Sequence, residues 1–311
     1  MKTTLLAALL WLASAAAAAA QTELLVVSGL SGEPRYAAQF NKWGGSLVDA
    51  ALTRYGLRAD QVIWLAETPA SDPKRISGTS TRDNVEKAIR ELAGRAGPAD
   101  RVMIVLIGHG GTTGEPRLSL TGPDLTAADL ARFLGAFTTQ SVAVVNSSSA
   151  SGDFQGPLAS PKRTVITATK SSMEGNEAVF GGFFVDAFAG QGADMDKDGR
   201  VSVLEAFDYA KAEVERSYKA DNRLQSEHPT LGGSRELAAS FVLAPAGATA
   251  ANASPELRGL VAERTQIEAS IETLKARKDG MDAAQYQKEL EDLLVKLALK
   301  TREIREKGGA Q

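Results

Sequence analysis

Hydrophobic residues follow two rhythms along this chain. Short continuous runs, apolar or β-branched, occupy residues 24–27, 62–65, 102–107, 142–145 and 165–167. They read as strands buried on both faces, because a strand with one wet face would alternate. Between them, residues 37–55, 82–96, 127–137 and 178–189 carry the three–four apolar spacing of helices. Thr81 or Ser80 can cap the second of these, and Gly97-Pro98 ends it. Strand and helix alternating at this interval predict one α/β domain over residues 21–243, a three-layer α/β/α sandwich with a mostly parallel sheet. Phe180, Phe183, Phe184 and Phe188 share a helical period and are expected in the core, as are Trp43 and Trp64.

The two ends read differently. Residues 1–20 combine Lys2, an apolar stretch at 5–15 and Ala18-Ala19-Ala20 before Gln21, the pattern of a cleaved secretory signal peptide. An exported chain, periplasmic or extracellular, is therefore expected, with no transmembrane segment in the mature form. Residues 244–254 are a linker of small residues. Beyond it, residues 255–311 carry 11 basic and 11 acidic side chains. Leu257, Leu260, Ile267, Ile271 and Leu274 form one apolar stripe there, and Tyr286, Leu290, Leu293, Leu297 and Ile304 another. With Asp279-Gly280 between the stripes, an antiparallel α-helical hairpin or coiled coil is predicted, its narrow seam open to packing on the main domain or to self-association. One long helix is the alternative, since Gly280 costs only about 1 kcal/mol inside a helix.

Charge and cysteine content narrow the chemistry. The 311 residues carry 35 basic and 38 acidic side chains, a net charge of −3, which argues against a nucleic-acid partner. With no Cys, disulfides, thiolate metal sites and a thiol nucleophile are excluded. Stability outside the cell must then come from core burial and, we expect, from a bound ion.

Residues 194–205 supply the motif for that ion. Asp194, Asp196 and Asp198 fall at loop positions one, three and five, Gly199 at six, Arg200 at seven, Ser202 at nine and Glu205 at twelve. This is the twelve-residue EF-hand calcium pattern: short carboxylates wrap the cation, Gly permits the turn, Arg200 offers its carbonyl, and Glu205 closes the shell with both oxygens. A single loop outside the cytoplasm predicts a structural calcium site.

Two strand ends carry the remaining chemistry. Residues 102–107 run into Gly108-His109-Gly110-Gly111, and residues 142–145 into Asn146-Ser147-Ser148-Ser149-Ala150-Ser151-Gly152. Ligands of open α/β sheets gather outside the carboxyl ends of the strands, where both segments fall. His228, between Glu227 and Pro229, is expected to be a surface turn residue or part of a helix C-terminus, without a partner cluster. Asn146-Ser147-Ser148 matches a glycosylation sequon but falls in the same turn.

These segments resemble the legumain-like and caspase-like (clan CD) cysteine peptidases across residues 24–242. The resemblance rests on Ser28-Gly29-Leu30 after the first strand, the His109-Gly110 pair, Ser151-Gly152 and the run at 165–169. It implies an α/β/α sandwich in which His109 takes the place of the catalytic His and Ser149 that of the nucleophilic Cys. The amides of Gly110 and Ser149 would form the oxyanion hole. The Arg and His of the legumain specificity pocket are not reproduced near Tyr36, so cleavage after Asn is not expected.

A hydroxyl replaces the thiol, and a hydroxyl is far less acidic. Three readings follow. The first is a catalytically impaired peptidase homologue, stabilised by calcium and binding a peptide or protein segment. The second is an active Ser149–His109 hydrolase, with Ser147, Ser148 and Ser151 as rival nucleophiles. The third is a calcium-binding envelope adaptor working through its helical tail.

Overall fold

The computed structural model describes residues 21–111, 114–190, 192–195, 200–243, 255–276 and 280–308. The signal segment, the linker at 244–254 and the turn residue Asp279 lie outside them, as do Asp196, Asp198 and Gly199.

A seven-stranded sheet forms the middle layer, in the order β3-β2-β1-β4-β7-β8-β9. Its strands are β1 (Thr22–Ser28), β2 (Val62–Ala66), β3 (Gly78–Thr79), β4 (Arg101–Ile107), β7 (Ser141–Asn146), β8 (Arg163–Thr167) and β9 (Thr230–Gly233). All neighbours pair in parallel except β8 and β9, so the sheet is mostly parallel, as the runs predicted. The edge strands β3 and β9, and the two-stranded antiparallel pair β5 (Arg117–Leu118) and β6 (Leu125–Thr126), were not legible as apolar runs. They are two to four residues long and polar or Gly-rich, so backbone pairing rather than side-chain burial defines them.

Helices cover both faces, and the strands explain why. Along β1, Leu24 and Val26 point into one core while Leu25 and Val27 point into the other. Met103 and Val105 of β4 likewise face the first core, and Ile104 and Leu106 the second. With both faces dry, every position must be apolar and the period of two disappears. The first core is closed by α1 (Pro34–Asp49), α5 (Phe180–Ala189), α6 (Val203–Ala220) and α7 (Arg235–Ser240). The second is closed by α2 (Arg82–Arg95), α3 (Ala127–Phe133) and the short α4 (Gln155–Leu158).

The predicted aromatic core is present. Phe180, Phe184 and Phe188 are buried and stack in series, while Phe183 and Trp43 are partly buried against the same cluster. Each fully buried ring contributes about 1.5–3 kcal/mol. Trp64 is 1 % exposed and donates from Nε1 to Ser28 Oγ at 3.1 Å, satisfying its one polar atom.

Helix ends differ from expectation where capping chemistry decides. Thr81 caps α2 by accepting from the Asn84 amide, as the sequence suggested. The first helix begins three residues earlier than its apolar period because Pro34 is preset for the first turn, and it closes in a π-turn at Ala50–Arg54. The helix expected over 127–137 is α3 followed by a 3₁₀ turn at Leu134–Ala136. At the C-terminus, α8 (Pro255–Ala276) and α9 (Ala283–Gly308) are separate helices that pack on each other, with Leu260, Ile271, Leu274 and Ile304 buried. The hairpin is thus present, rather than one long helix. Among the described residues no helix is long and apolar enough to cross a membrane.

Candidate functional site

The chain builds the sheet outward from β1 to β2 and β3, then returns to add β4, β7 and β8 on the other side. Where the direction of growth reverses, the loops leaving two neighbouring strands turn apart and leave a crevice at the strands' carboxyl ends. Here that place lies between β1 and β4. Residues 28–31 leave β1 and Gly108-His109-Gly110 leave β4. Since Leu106 pairs with Asn146 in the β4–β7 ladder, the residues after β4 and β7 emerge side by side.

Backbone contacts hold these loops together. Ser119, just after β5, donates from its amide to the His109 carbonyl at 2.9 Å and accepts from the Leu30 amide at 2.9 Å. Gly29 donates to the Ile107 carbonyl at 2.7 Å. Glycine is required at 110, where any Cβ would overlap the Ser149 carbonyl oxygen. The two candidate segments therefore touch backbone to backbone.

The four serines separate by hydrogen bonding. Ser147 donates to the Leu106 carbonyl at 2.8 Å, and Ser148 to Asn146 Oδ1 at 2.7 Å. Ser151 Oγ is 3.3 Å from Thr169 Oγ1. Ser149 differs: its Oγ accepts from the Gly110 amide at 3.2 Å, leaving the hydroxyl proton uncommitted among the described residues. The Ser149 amide likewise donates to no group among the described residues. Asn146 is fully buried, so the sequon is enclosed in the strand end.

Ala150, next in the chain, has φ of 53°, in the left-handed region that costs a side chain roughly 1–2 kcal/mol. It is held there by its own amide, which donates to the Glu174 carbonyl at 2.9 Å. Gly152 completes the turn because a Cβ there would overlap the backbone of Lys170 and Ser171.

His109 is half-buried. Nε2 lies 3.2 Å from the Ser31 carbonyl, and Tyr36 and Phe40 present ring contacts to the imidazole at 4.5 and 5.2 Å between centroids. The Tyr36 hydroxyl donates to Glu177 Oε2 at 3.0 Å and accepts from Arg35 at 2.9 Å, tying the start of α1 to the segment after β8. Burial and the hydrogen bond to Glu177 push the Tyr36 phenol above its ordinary range. No hydrogen bond joins His109 to Ser149 among the described residues: both side chains belong to one end of the sheet, each with other partners.

The second histidine has a partner the sequence did not disclose. His228 Nδ1 is 2.5 Å from Glu174 Oε1, and its amide donates to Glu174 Oε2 at 3.1 Å. Burial would raise the Glu174 carboxyl, but bonds from the Lys170 amide and from His228 outweigh it and hold it below the usual range. Its neighbour Glu227 is 1 % exposed and accepts from the Val179 and Phe180 amides at the start of α5. Burial lifts that carboxyl to about 7, helped by the charges of Glu174 and Glu177. Sequence separations of 54 and 47 residues hid both contacts.

Of the expected calcium ligands, Asp194, Arg200, Ser202 and Glu205 are described, whereas Asp196 and Asp198 lie outside the described residues. Ser202 caps α6 and Glu205 completes a capping box, its Oε2 accepting from the Ser202 amide at 2.9 Å. Glu205 Oε1 reaches back to the Met195 amide at 3.0 Å, so the two ends of the loop meet. Asp194 and Glu205 both act on the buried Tyr55, whose phenol burial pushes up to about 12. Among the described residues no cluster of three or more acidic or imidazole side chains gathers here, and Asp196 and Asp198 lie outside them.

No family model matches the chain, and no curated protein matches it. Solved structures similar to it include protein GSU0716 from Geobacter sulfurreducens, at 13% identity and a TM-score of 0.47, covering 72% of this chain and 99% of that one. Caspase-1 from Spodoptera frugiperda is similar at 9% identity and a TM-score of 0.43, covering 70% and 87%. The protein drICE is similar at 10% identity and a TM-score of 0.42, covering 70% and 89%. The α/β class stands on the sheet order described above, and the site on its own geometry.

Proposed function

We propose that this chain is an exported, legumain- or caspase-type peptidase homologue that binds a peptide or protein segment in the crevice between β1, β4 and β7 without cleaving it. One observation carries the reading: the Ser149 hydroxyl accepts from the Gly110 amide and has no hydrogen bond to His109. A serine needs a base in contact to become nucleophilic, unlike a thiol, which ionises readily beside an imidazole. Calcium at 194–205 is the structural staple of the reading, with Asp194, Asp196, Asp198, the Arg200 carbonyl, Ser202 and Glu205 as its ligands.

An active Ser149–His109 hydrolase is the second reading. The uncommitted Ser149 amide favours it, since that donor sits beside Gly110 where an oxyanion would form. A fluorophosphonate probe on the purified mature chain decides between them. The expected result is no labelling at Ser149. Labelling that disappears in Ser149→Ala, and falls in His109→Ala, overturns the non-cleaving reading.

A further inference from the structure

We propose that Glu67 is a positioning residue for His109, acting through Ser31. The inference rests on the peptidase-type reading of the crevice and adds to it a group that fixes the orientation of the imidazole.

Glu67 follows β2 directly, so it emerges beside the turn that leaves β1, the parallel neighbour of β2. One of its oxygens, Oε2, accepts both the Ser31 amide at 3.0 Å and the Ser31 hydroxyl at 2.5 Å. Two bonds from one residue onto one carboxylate oxygen fix where Ser31 sits, and bonds to an ionised acceptor are the strong kind. The Ser31 carbonyl faces His109 Nε2 at 3.2 Å. A carbonyl can only accept, so Nε2 carries the proton and Nδ1 keeps the lone pair in the neutral ring. Tyr36 and Phe40 hold the ring's position from other sides.

A small pocket open to solvent lies against Ser28, Ser31, Phe40, Asn41, Glu67 and Thr68. The Glu67 carboxylate lines it while Oε2 is engaged by the Ser31 amide and hydroxyl. A carboxylate contacting the imidazole directly, as in a Ser-His-Asp arrangement, would orient it in one step. Here a backbone carbonyl is interposed.

With only two histidines in the chain, imidazole nitrogens can be read individually by ¹⁵N NMR, His228→Asn identifying the other ring. In the mature protein, the His109 Nε2 proton should be resolved and exchange with water at least about tenfold more slowly than in a free imidazole. Glu67→Ala should abolish that protection, Ser31→Ala should weaken it, and Glu67→Gln, whose carbonyl still accepts from Ser31, should restore it. Protection unchanged in Glu67→Ala, or a proton found on Nδ1 instead, overturns the proposal.

Chemistry supplies a second readout, valid should Glu67→Ala lose its fold. In a Ser149→Cys background, iodoacetamide forms a C–S bond, iodide leaves, and the thiol proton passes to His109 Nδ1. Alkylation should be at least about tenfold faster than when His109→Ala is added. Glu67→Gln should stay within about twofold of the parent, and Ser31→Ala should fall between the two. Where alkylation depends on His109, a Ser31→Ala rate equal to the parent overturns the proposal; equal rates with and without His109 overturn the peptidase-type reading on which it rests. Phosphonylation of Ser149 in the unaltered chain would instead overturn the non-cleaving reading and leave the role of Glu67 standing.

Discussion

The Gly110 amide donates to the Ser149 hydroxyl at 3.2 Å, and the Ser149 carbonyl packs against the Cα of Gly110. The loop after β4 and the loop after β7 thus share an interface that leaves no room for a side chain. Gly110→Ala should destabilise the domain by about 1–3 kcal/mol, the cost of overpacking a tight contact. Chemical denaturation would register this as a lower midpoint at unchanged slope. An unchanged midpoint would mean that the two loops are free to part.

Glu227 makes stability depend on pH in a direction opposite to most carboxylates. Its folded carboxyl titrates at about 7, against an ordinary value of 4.5. Between those values the folded chain holds the proton that the unfolded chain has released, so unfolding free energy falls as pH rises from 4.5 to 7. At about 1.4 kcal/mol per unit, this one group supplies at most roughly 3 kcal/mol of slope. Glu227→Gln, which cannot ionise, should flatten that segment of the curve even where it lowers stability overall. An identical slope in the variant rules out Glu227 as its source.

Calcium should raise the melting temperature of the mature chain and chelator should lower it. At 100 times the dissociation constant, an ion that binds only the folded state adds about 2.7 kcal/mol. Glu205→Gln separates the two duties of this residue: an amide can still serve the capping box at Ser202 but is a poor bidentate ligand. Its melting temperature should no longer respond to calcium while α6 stays intact by circular dichroism. A full calcium response in this variant would remove Glu205 from the ligand set.

Each of the two cores in residues 21–243 is closed by helices of the same segment, and α8 and α9 pack on each other. A chain ending at Leu243 should therefore unfold cooperatively within a few degrees of the full-length melting temperature. Sedimentation of both forms would show whether association is lost with residues 244–311. A truncated chain that fails to fold would make the hairpin part of the core.

The layers were legible because both faces of β1, β4, β7 and β8 are dry, which turns each strand into an unbroken run such as residues 102–107. That the His109 and Ser149 segments follow two neighbouring strands was legible for a related reason: each begins where an apolar run stops. Glu67 was not, since nothing in its local sequence records that Ser31, 36 residues away, will lie on its carboxylate. The partnership of His228 with Glu174 was hidden in the same manner, and β9 was hidden because Gly232 and Gly233 carry no side chain to bury. Periodicity reports what a residue does for its own element. Contacts between loops depend on how the elements are assembled.

Ala150 sits in a backbone shape that glycine would adopt freely, and the hydrogen bond from its amide to the Glu174 carbonyl helps offset the strain. The turn after β7 is pinned at successive residues, since the Gly152 amide donates to Thr169 Oγ1 and the Ser151 hydroxyl meets the same group. Glu174 also holds His228 through its carboxylate, so one residue ties the floor of the crevice to the segment that enters β9.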